Sequence, residues 1–327
     1  MAQDPYGYSF IIPAYNDAAG LERHFRYFAA CSARVQLVIV DDCSQDATEA
    51  VVAAAALPEN IRVTYHRMAA NGGPAAARNH GISLAEEERV MFLDADDLLA
   101  PCFFDVMRLA PLGGETDFVL FKYHLSRDPE QRFTYEMHGV DRTFFSRGPE
   151  ASFPVQRFRP QDRSGAMGTV NFPWNKLYRR GFLQDAGIRF PDLRMHEDIT
   201  PHWQSFLRCR MFGVLYWAPP LITHWEVPEG GRATQYVGEK RMGVFEELAK
   251  LETELLAHRQ GGRLQPVFAA FCNDLFNWMS RSLCEGGDAG VRKWGRTYAE
   301  AAERFWAESQ IGRPVGLKGE KPGKGAS

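Results

Sequence analysis

The chain has 327 residues, 45% apolar and 24% charged, the balance of a soluble globular protein with volume for one or two cores. Its 38 Lys and Arg against 41 Asp and Glu leave a formal charge of −3, which excludes a broad basic surface for nucleic acid. The longest purely apolar run, Ala50 to Leu57, is far short of the ~18 residues of a spanning helix. Met1-Ala2-Gln3-Asp4-Pro5 has no basic region followed by an apolar stretch, so no secretory leader is expected. Six scattered cysteines without a Cys-x-x-Cys argue against a zinc knuckle or disulfide framework. The expected location is cytoplasmic, with reduced thiols.

Tyr8 to Ile12, Val35 to Val40, Ile61 to Tyr65 and Val90 to Leu93 are short runs rich in β-branched and aromatic residues, the first, second and fourth closed by Pro13, Asp41 and Asp94. They predict four strands. Helical patterns lie between them. Leu21, Phe25 and Phe28 repeat at helical spacing; Asp46-Ala47-Thr48-Glu49 has the form of a capping box; Pro74 opens a helix through Leu84. Strand and helix in alternation predict an α/β fold with a mostly parallel central sheet, whose ligands sit outside the carboxyl ends of the strands. From about Ser126 to Gly168 no period is visible, and an irregular insertion is expected. Trp174 to Arg180 and Glu197 to Cys209 read as helices, Met211 to Trp217 and Leu221 to Trp225 as short strands.

The last third carries three apolar stripes at helical spacing: Phe245, Leu248, Leu251, Leu255; then Val267, Phe271, Leu275, Trp278, Met279; then Val291, Trp294, Tyr298, Ala301, Phe305. They predict a helical region over about 238–310. The tail 316–327 has almost no apolar residues and is expected to be disordered.

The chemistry-bearing residues follow the strands. Asp94-Ala95-Asp96-Asp97 ends the fourth, and clustered carboxylates call for water or a hard divalent cation such as Mn²⁺ or Mg²⁺. Asp41-Asp42 ends the second, where an acid serves either a nucleoside or merely a helix cap. Asn71-Gly72-Gly73-Pro74 is a tight turn into a helix, a place where a ligand approaches backbone, with Arg78 about one turn on. Neither a dinucleotide glycine motif nor a P-loop is present.

Taken in order, Ile11-Ile12-Pro13-Ala14-Tyr15-Asn16, Val38-Ile39-Val40-Asp41-Asp42-Cys43-Ser44, Asn71-Gly72-Gly73-Pro74 with Ala77-Arg78-Asn79, and Phe92-Leu93-Asp94-Ala95-Asp96-Asp97 resemble glycosyltransferase family 2, inverting nucleotide-sugar transferases of the GT-A fold. The likeness covers about residues 6–110 well and 170–226 more loosely. Cys43 departs from it, standing where the family usually has Gly, and is expected to strain the turn slightly.

The resemblance implies a catalytic domain over 1–230, with a nucleotide-binding half at about 6–110 and an acceptor half at about 165–230. Pro13 and Tyr15 would line the base pocket, Asp42 would bond the base, and Asp41 would support that loop. Asn71, Gly72 and Arg78 would lie along the nucleotide. Asp94-Ala95-Asp96 matches the family's D-x-D motif: Asp94 would face ribose or sugar hydroxyls, Asp96 would bind Mn²⁺ or Mg²⁺, and Asp97 would stand behind it. His196-Glu197-Asp198 resembles the family's E-D motif, with Asp198 as catalytic base and Glu197 orienting it or the acceptor. The alternative for Glu197-Asp198 is a helix cap. His224 falls where some relatives place a metal or phosphate ligand; a structural histidine beside Trp225 is the alternative. Gly230-Gly231-Arg232 would close over the diphosphate, and Trp174-Asn175-Lys176 would contribute to an acceptor floor.

The implied activity is transfer of a sugar, from a UDP-sugar by preference, to a hydroxyl of a carbohydrate or glycoconjugate acceptor in surface polysaccharide synthesis, at the inner face of the membrane by analogy. Peripheral membrane contact and self-association through the C-terminal helices stay open. The competing readings are a sugar nucleotidyltransferase, disfavoured by the lack of Arg or Lys in Pro13-Ala14-Tyr15-Asn16, and a silent binding scaffold, disfavoured by intact Asp96 and Asp198.

Overall fold

The structure is a computed structural model that describes residues 6–110, 113–126, 136–148, 153–225, 236–285 and 287–314. Gly230-Gly231-Arg232 and the tail 316–327 lie outside the described residues. The chain divides into two compact units, Met1–Thr234 and Gln235–Ser327.

The first unit opens with strands β1 (Tyr8–Ala14), β2 (Val35–Asp41), β3 (Ile61–Arg67) and β4 (Arg89–Phe92), separated by helices α1 (Ala18–Ala29), α2 (Thr48–Ala53) and α3 (Pro74–Leu84). β5 (Leu98–Leu99), α4 (Phe103–Leu109), β6 (Phe118–Leu120), β7 (His124–Ser126), α5 (Gly139–Ser146) and β8 (Gln156–Phe158) follow. The unit continues through β9 (Lys176–Arg179), α6 (Arg180–Asp185), α7 (Ile199–Arg208), β10 (Phe212–Val214) and β11 (Ile222–Trp225). One sheet has the order β3-β2-β1-β4-β9-β6-β10-β8, and a small one has the order β5-β11-β7. β1 to β4 are mutually parallel, as are β6 and β10, while β9 and β8 run against their neighbours.

β2 is buried along its whole length, which a near-continuous apolar run in a covered parallel sheet requires. Its one polar interior residue, Gln36, accepts from the Ser9 hydroxyl and the Glu86 amide and donates to Thr64 Oγ1 and the Leu84 carbonyl. Pro13 is tolerated in β1 because pairing with β4 ends at Ile11, before the residue that lacks an N–H. Helix α1 is capped by Asp17, whose carboxylate accepts the Gly20 N–H, and it buries Leu21, His24, Phe25 and Phe28.

Three local expectations are corrected. Asp46 does not form a capping box: Ala47 is the N-cap of α2, and Asp46 instead accepts from the Thr48 amide and hydroxyl and the Ala18 amide. Trp174 to Arg180 is not a helix; Lys176–Arg179 form strand β9, inserted antiparallel between β4 and β6. A short apolar run has no decisive period, and ladder partners on both sides choose the strand. In the span expected to be irregular, α5 and β8 are ordered elements.

The second unit contains α8 (Gly243–Ala257), α9 (Gly261–Asn277) and α10 (Ala289–Glu308). Its interior holds Leu248, Leu251 and Leu255 from α8 and Tyr298, Ala301 and Phe305 from α10. On α9 the buried stripe is Leu264, Phe268, Cys272 and Phe276. The expected Val267, Phe271 and Leu275 are only half-buried, and Trp278, just beyond, is 37% exposed. Helix α9 carries two apolar stripes, so periodicity alone does not choose between them.

One close approach ties α1 to the loop after β4. A Cβ on Gly20 would stand 2.3 Å from the Ala95 carbonyl oxygen. Gly20→Ala is expected to cost about 1–3 kcal/mol by overpacking, read as a lower urea midpoint. Gly114→Ala, whose Cβ meets nothing within 4 Å, is the matched control and should stay near wild type.

Candidate active site

The carboxyl ends of β1, β2 and β4 open onto one edge of the sheet, and their loops are stitched together. Asn16 accepts the Gln45 amide at 2.7 Å and its own amide donates to Ser44 Oγ at 2.9 Å. Asn16 and Cys43 both have positive φ, 53° and 69°. The Cys43 value is the left-handed conformation that favours Gly, so the strain expected at this position is present.

Asp41, with 0% exposure, accepts from the Ser44 amide at 2.7 Å, the Tyr65 hydroxyl at 2.7 Å and Arg67 Nη1 at 2.8 Å. Burial would raise its carboxyl, but these donors outweigh it and hold the group below its ordinary range. Asp42 is buried as well, and its two oxygens accept the Gly72 and Gly73 amides at 2.6 and 2.7 Å. The pair thus shapes the Asn71-Gly72-Gly73 turn from beneath. Arg194 grips the same turn from outside, donating to Asn71 Oδ1 at 2.8 Å and to its carbonyl at 2.9 Å. Tyr15 is 51% exposed at the end of β1, and Pro13 is half-buried.

After β4, Asp94 and Asp96 are half-buried while Ala95 and Asp97 are buried. Arg78, on α3, ties this loop to the other half of the unit. Its Nη2 donates to Asp94 Oδ1 at 2.7 Å and its Nη1 to Glu197 Oε1 at 3.0 Å, with only 6% of its side chain exposed. Burial works against its charge, and Asp94 and Glu197 more than restore it, raising its pKa. Phe190 lies under the guanidinium at 5.3 Å, and Asn79 exchanges two hydrogen bonds with the Phe190 backbone. His24 supports the loop from below: its Nε2 lies 3.2 Å from the Asp94 carbonyl, and burial pushes its pKa down to about 4.

Asp198 is the N-cap residue of α7, yet its side chain makes no capping hydrogen bond. It therefore does not cap the helix by hydrogen bonding, and its charge stands at the helix N-terminus, where it offsets the macrodipole. Burial and the neighbouring Glu197 push its pKa up to about 7, against Arg78 and Lys176. His196, just before, has φ 63°, a strained turn into the Glu197-Asp198 pair.

His224, on β11, places Nδ1 2.6 Å from Asp97 Oδ1 and stacks on Trp174 at 5.0 Å. Burial opposes its charge, but Asp97, with Asp94 and Asp96 nearby, raises its pKa to about 9. Trp174, Asn175 and Lys176 do not form an exposed floor: all three are buried, and Lys176 Nζ donates to the Phe172 carbonyl at 2.6 Å and Asn175 Oδ1 at 2.9 Å. Sequence reasoning missed His24, Arg194, Tyr65 and Arg67. Their partners lie 24 to 123 positions away, with no local pattern to mark them.

The pattern of Glycosyl transferase family 2 matches residues 9–187, more than half of the chain. The chain belongs to glycosyltransferase family 2. This family 2 chain is 28% identical to EpsH of Bacillus subtilis (strain 168) over 76% of its length and 67% of that protein. It is 40% identical to the succinoglycan biosynthesis protein ExoO of Rhizobium meliloti (strain 1021) over 58% of its length and 53% of that protein. The matches thus span about half to two thirds of these relatives. Staphylococcus aureus TarS 1-349 in complex with UDP-GlcNAc superposes with a TM-score of 0.68 at 20% identity, covering 93% of this chain and 84% of that one. It shares the mixed α/β fold of the GT-A type.

Arg78 pairs with both Asp94 and Glu197, so removing it leaves two carboxylates partly out of water without that cation. Arg78→Met is expected to cost about 3–5 kcal/mol, seen as a lower Tm, and Arg78→Lys to recover only part of that loss because one ammonium cannot replace the planar fork.

Proposed function

We propose that this chain is a metal-dependent, inverting glycosyltransferase that moves a sugar from a UDP-sugar to a hydroxyl of a carbohydrate or glycoconjugate acceptor in surface polysaccharide synthesis. The observation that carries the reading is the Arg78 bridge, which brings the D-x-D and E-D stretches, sixteen and more than a hundred positions from it, to one guanidinium. The uncapped carboxylate of Asp198 beside that bridge supports its role as base. UDP is favoured because TarS, of like fold, is seen in complex with UDP-GlcNAc, and the role of ExoO in succinoglycan biosynthesis supports a polysaccharide product.

In this mechanism the donor lies along the strand ends, with Tyr15 and Pro13 at the base and the Asp42-shaped turn with Asn71 and Gly72 along the nucleotide. Asp94 faces ribose or sugar hydroxyls while Arg78 fixes its orientation. Asp198 takes the proton of the acceptor hydroxyl, and Glu197, held by Arg78, orients the acceptor or the base. The acceptor oxygen attacks the anomeric carbon from the face opposite the nucleotide, the bond to the diphosphate oxygen breaks, and configuration inverts. A base with a pKa of about 7 is matched to work near neutrality.

Among the described residues no three His, Cys, Asp or Glu side chains close a metal cage. A cation that bridges a diphosphate needs only one or two protein donors, since phosphate oxygens and water complete its shell. Asp96 suits that open set, and His224, whose Nδ1 faces Asp97, would join it as the neutral imidazole, giving up a proton as the metal binds; the buried Asp97 oxygen Oδ2 without a hydrogen-bond partner suits a nearby positive charge. Mn²⁺ or Mg²⁺ held there would neutralise the diphosphate as it leaves. No helix among the described residues is long and apolar enough to cross a membrane. By analogy with a relative named for succinoglycan biosynthesis, the reading places the enzyme in the cytoplasm, at the inner face of the membrane.

Asp198→Asn should lower sugar transfer by at least ~10²–10⁴-fold while donor binding, followed by calorimetry, is spared. Near-wild-type transfer would sink the base assignment. In the wild type the rate should rise with pH through about 7, as Asp198 ionises, and level off above. Asp96→Ala should remove the gain in UDP-sugar affinity that Mn²⁺ confers; a variant whose affinity still rises with Mn²⁺ as in the wild type would count against that ligand.

A further inference from the structure

The second unit holds a concave cavity of about 360 Å³ lined by Ser280, Arg281, Cys284, Arg292, Gly295, Arg296 and Ala299. Three arginines line it from two elements, and among the described residues no carboxylate lines it. Among the described residues none of the three arginines forms an ion pair; Arg292 donates only to the Gly287 carbonyl. Arg292 and Arg296 stand four apart on α10, a like-charge spacing that weakens a helix. Other arginines of this chain are matched: Arg34 with Glu87 and Glu88, Arg179 with Asp117, Arg313 with Glu303.

The backbone beneath the cluster is also unusual. Trp278–Ser282 forms a π-helical turn, with the Leu283 amide donating to the Trp278 carbonyl at 2.8 Å. Such single turns recur at functional sites. Here the widened turn lets α10 come close: a Cβ on Gly295 would be 2.8 Å from the Ser280 carbonyl oxygen. The result sets Arg281 of one element beside Arg292 and Arg296 of the other, around a single opening.

We propose that this cavity is a binding site for a phosphate group carried by a soluble ligand. Forked guanidinium donors match the oxygens of phosphate, two or three of them together make a multivalent clamp, and the bound anion removes their mutual repulsion. The occupant is a discrete anionic group rather than a bilayer. The opening is concave, and its lining offers Ala299 and Gly295 but no large apolar side chain to enter lipid. The site is separate from the residues assigned to sugar transfer and does not depend on that assignment.

The test titrates the full chain with tripolyphosphate in EDTA, which keeps divalent cations out of the D-x-D region, and follows heat and Tm. The probe set is wild type, Arg281→Gln/Arg292→Gln/Arg296→Gln, the same three positions changed to Lys, and Arg263→Gln/Lys293→Gln/Arg304→Gln. The last removes the same charge from the same unit outside the cavity. The expected result is saturable binding that weakens at least about tenfold in the first Gln variant, survives in part with Lys, and is unchanged in the charge-matched control. Equal weakening in both Gln variants, or no difference from wild type, overturns the proposal. So does binding to phosphatidylglycerol vesicles, but not tripolyphosphate, that depends on the three arginines. The unbound unfolding curves of all variants establish that each is folded.

Discussion

Arg78 lies between two carboxylates that reach it from different halves of the first unit, Asp94 after β4 and Glu197 before α7. With 6% of its side chain exposed, its charge is tolerated only because both partners are in contact with it. The consequence runs outward. Glu197 is placed, so Asp198 next to it is placed; Asp94 is placed, so Asp96 is carried on the same short loop. A large share of the geometry of the site follows from where one guanidinium can be buried.

The surroundings of that bridge are rigid for separate reasons. The backbone of the loop after β4 is held by His24 from below and admitted by the missing side chain of Gly20. The glycine turn is pinned by Asp42 on one side and Arg194 on the other. Asp41 anchors the adjoining loop through Tyr65 and Arg67 on the neighbouring strand. Carboxylates are of two kinds here. The oxygens of Asp41 and Asp42 accept hydrogen bonds from neighbouring loops and strands, while Asp96 and Asp198 are half-buried. Residue type alone does not separate the two kinds; hydrogen-bond partners do.

The cavity in the second unit raises a different balance. Its arginines carry charge that the described residues do not repay, whereas Arg78 is fully repaid. A protein that neutralises one buried cation so completely, and leaves three exposed ones converging, treats the two places differently. The first holds structure; the second has the electrostatics of a receptor for an anion.

Local patterns determined much of this protein. Runs rich in β-branched and aromatic residues identified β1 to β4, the 3.6-residue period identified α1, α8 and α10, and four ordered motifs identified the family. Where one pattern suits two structures, only the folded chain decided. Lys176–Arg179 became a strand because β4 and β6 leave a gap with unpaired backbone on both sides, which no count of apolar residues reveals. Helix α9 buried Phe268 and Phe276 rather than Phe271 and Leu275 because its neighbours fixed its rotation, not its own period. The meeting of Arg78 with Glu197, 119 positions away, likewise belongs to tertiary structure. Periodicity and turn chemistry act over a few residues and are written locally, while the partner of a buried charge is chosen by which elements the fold brings side by side.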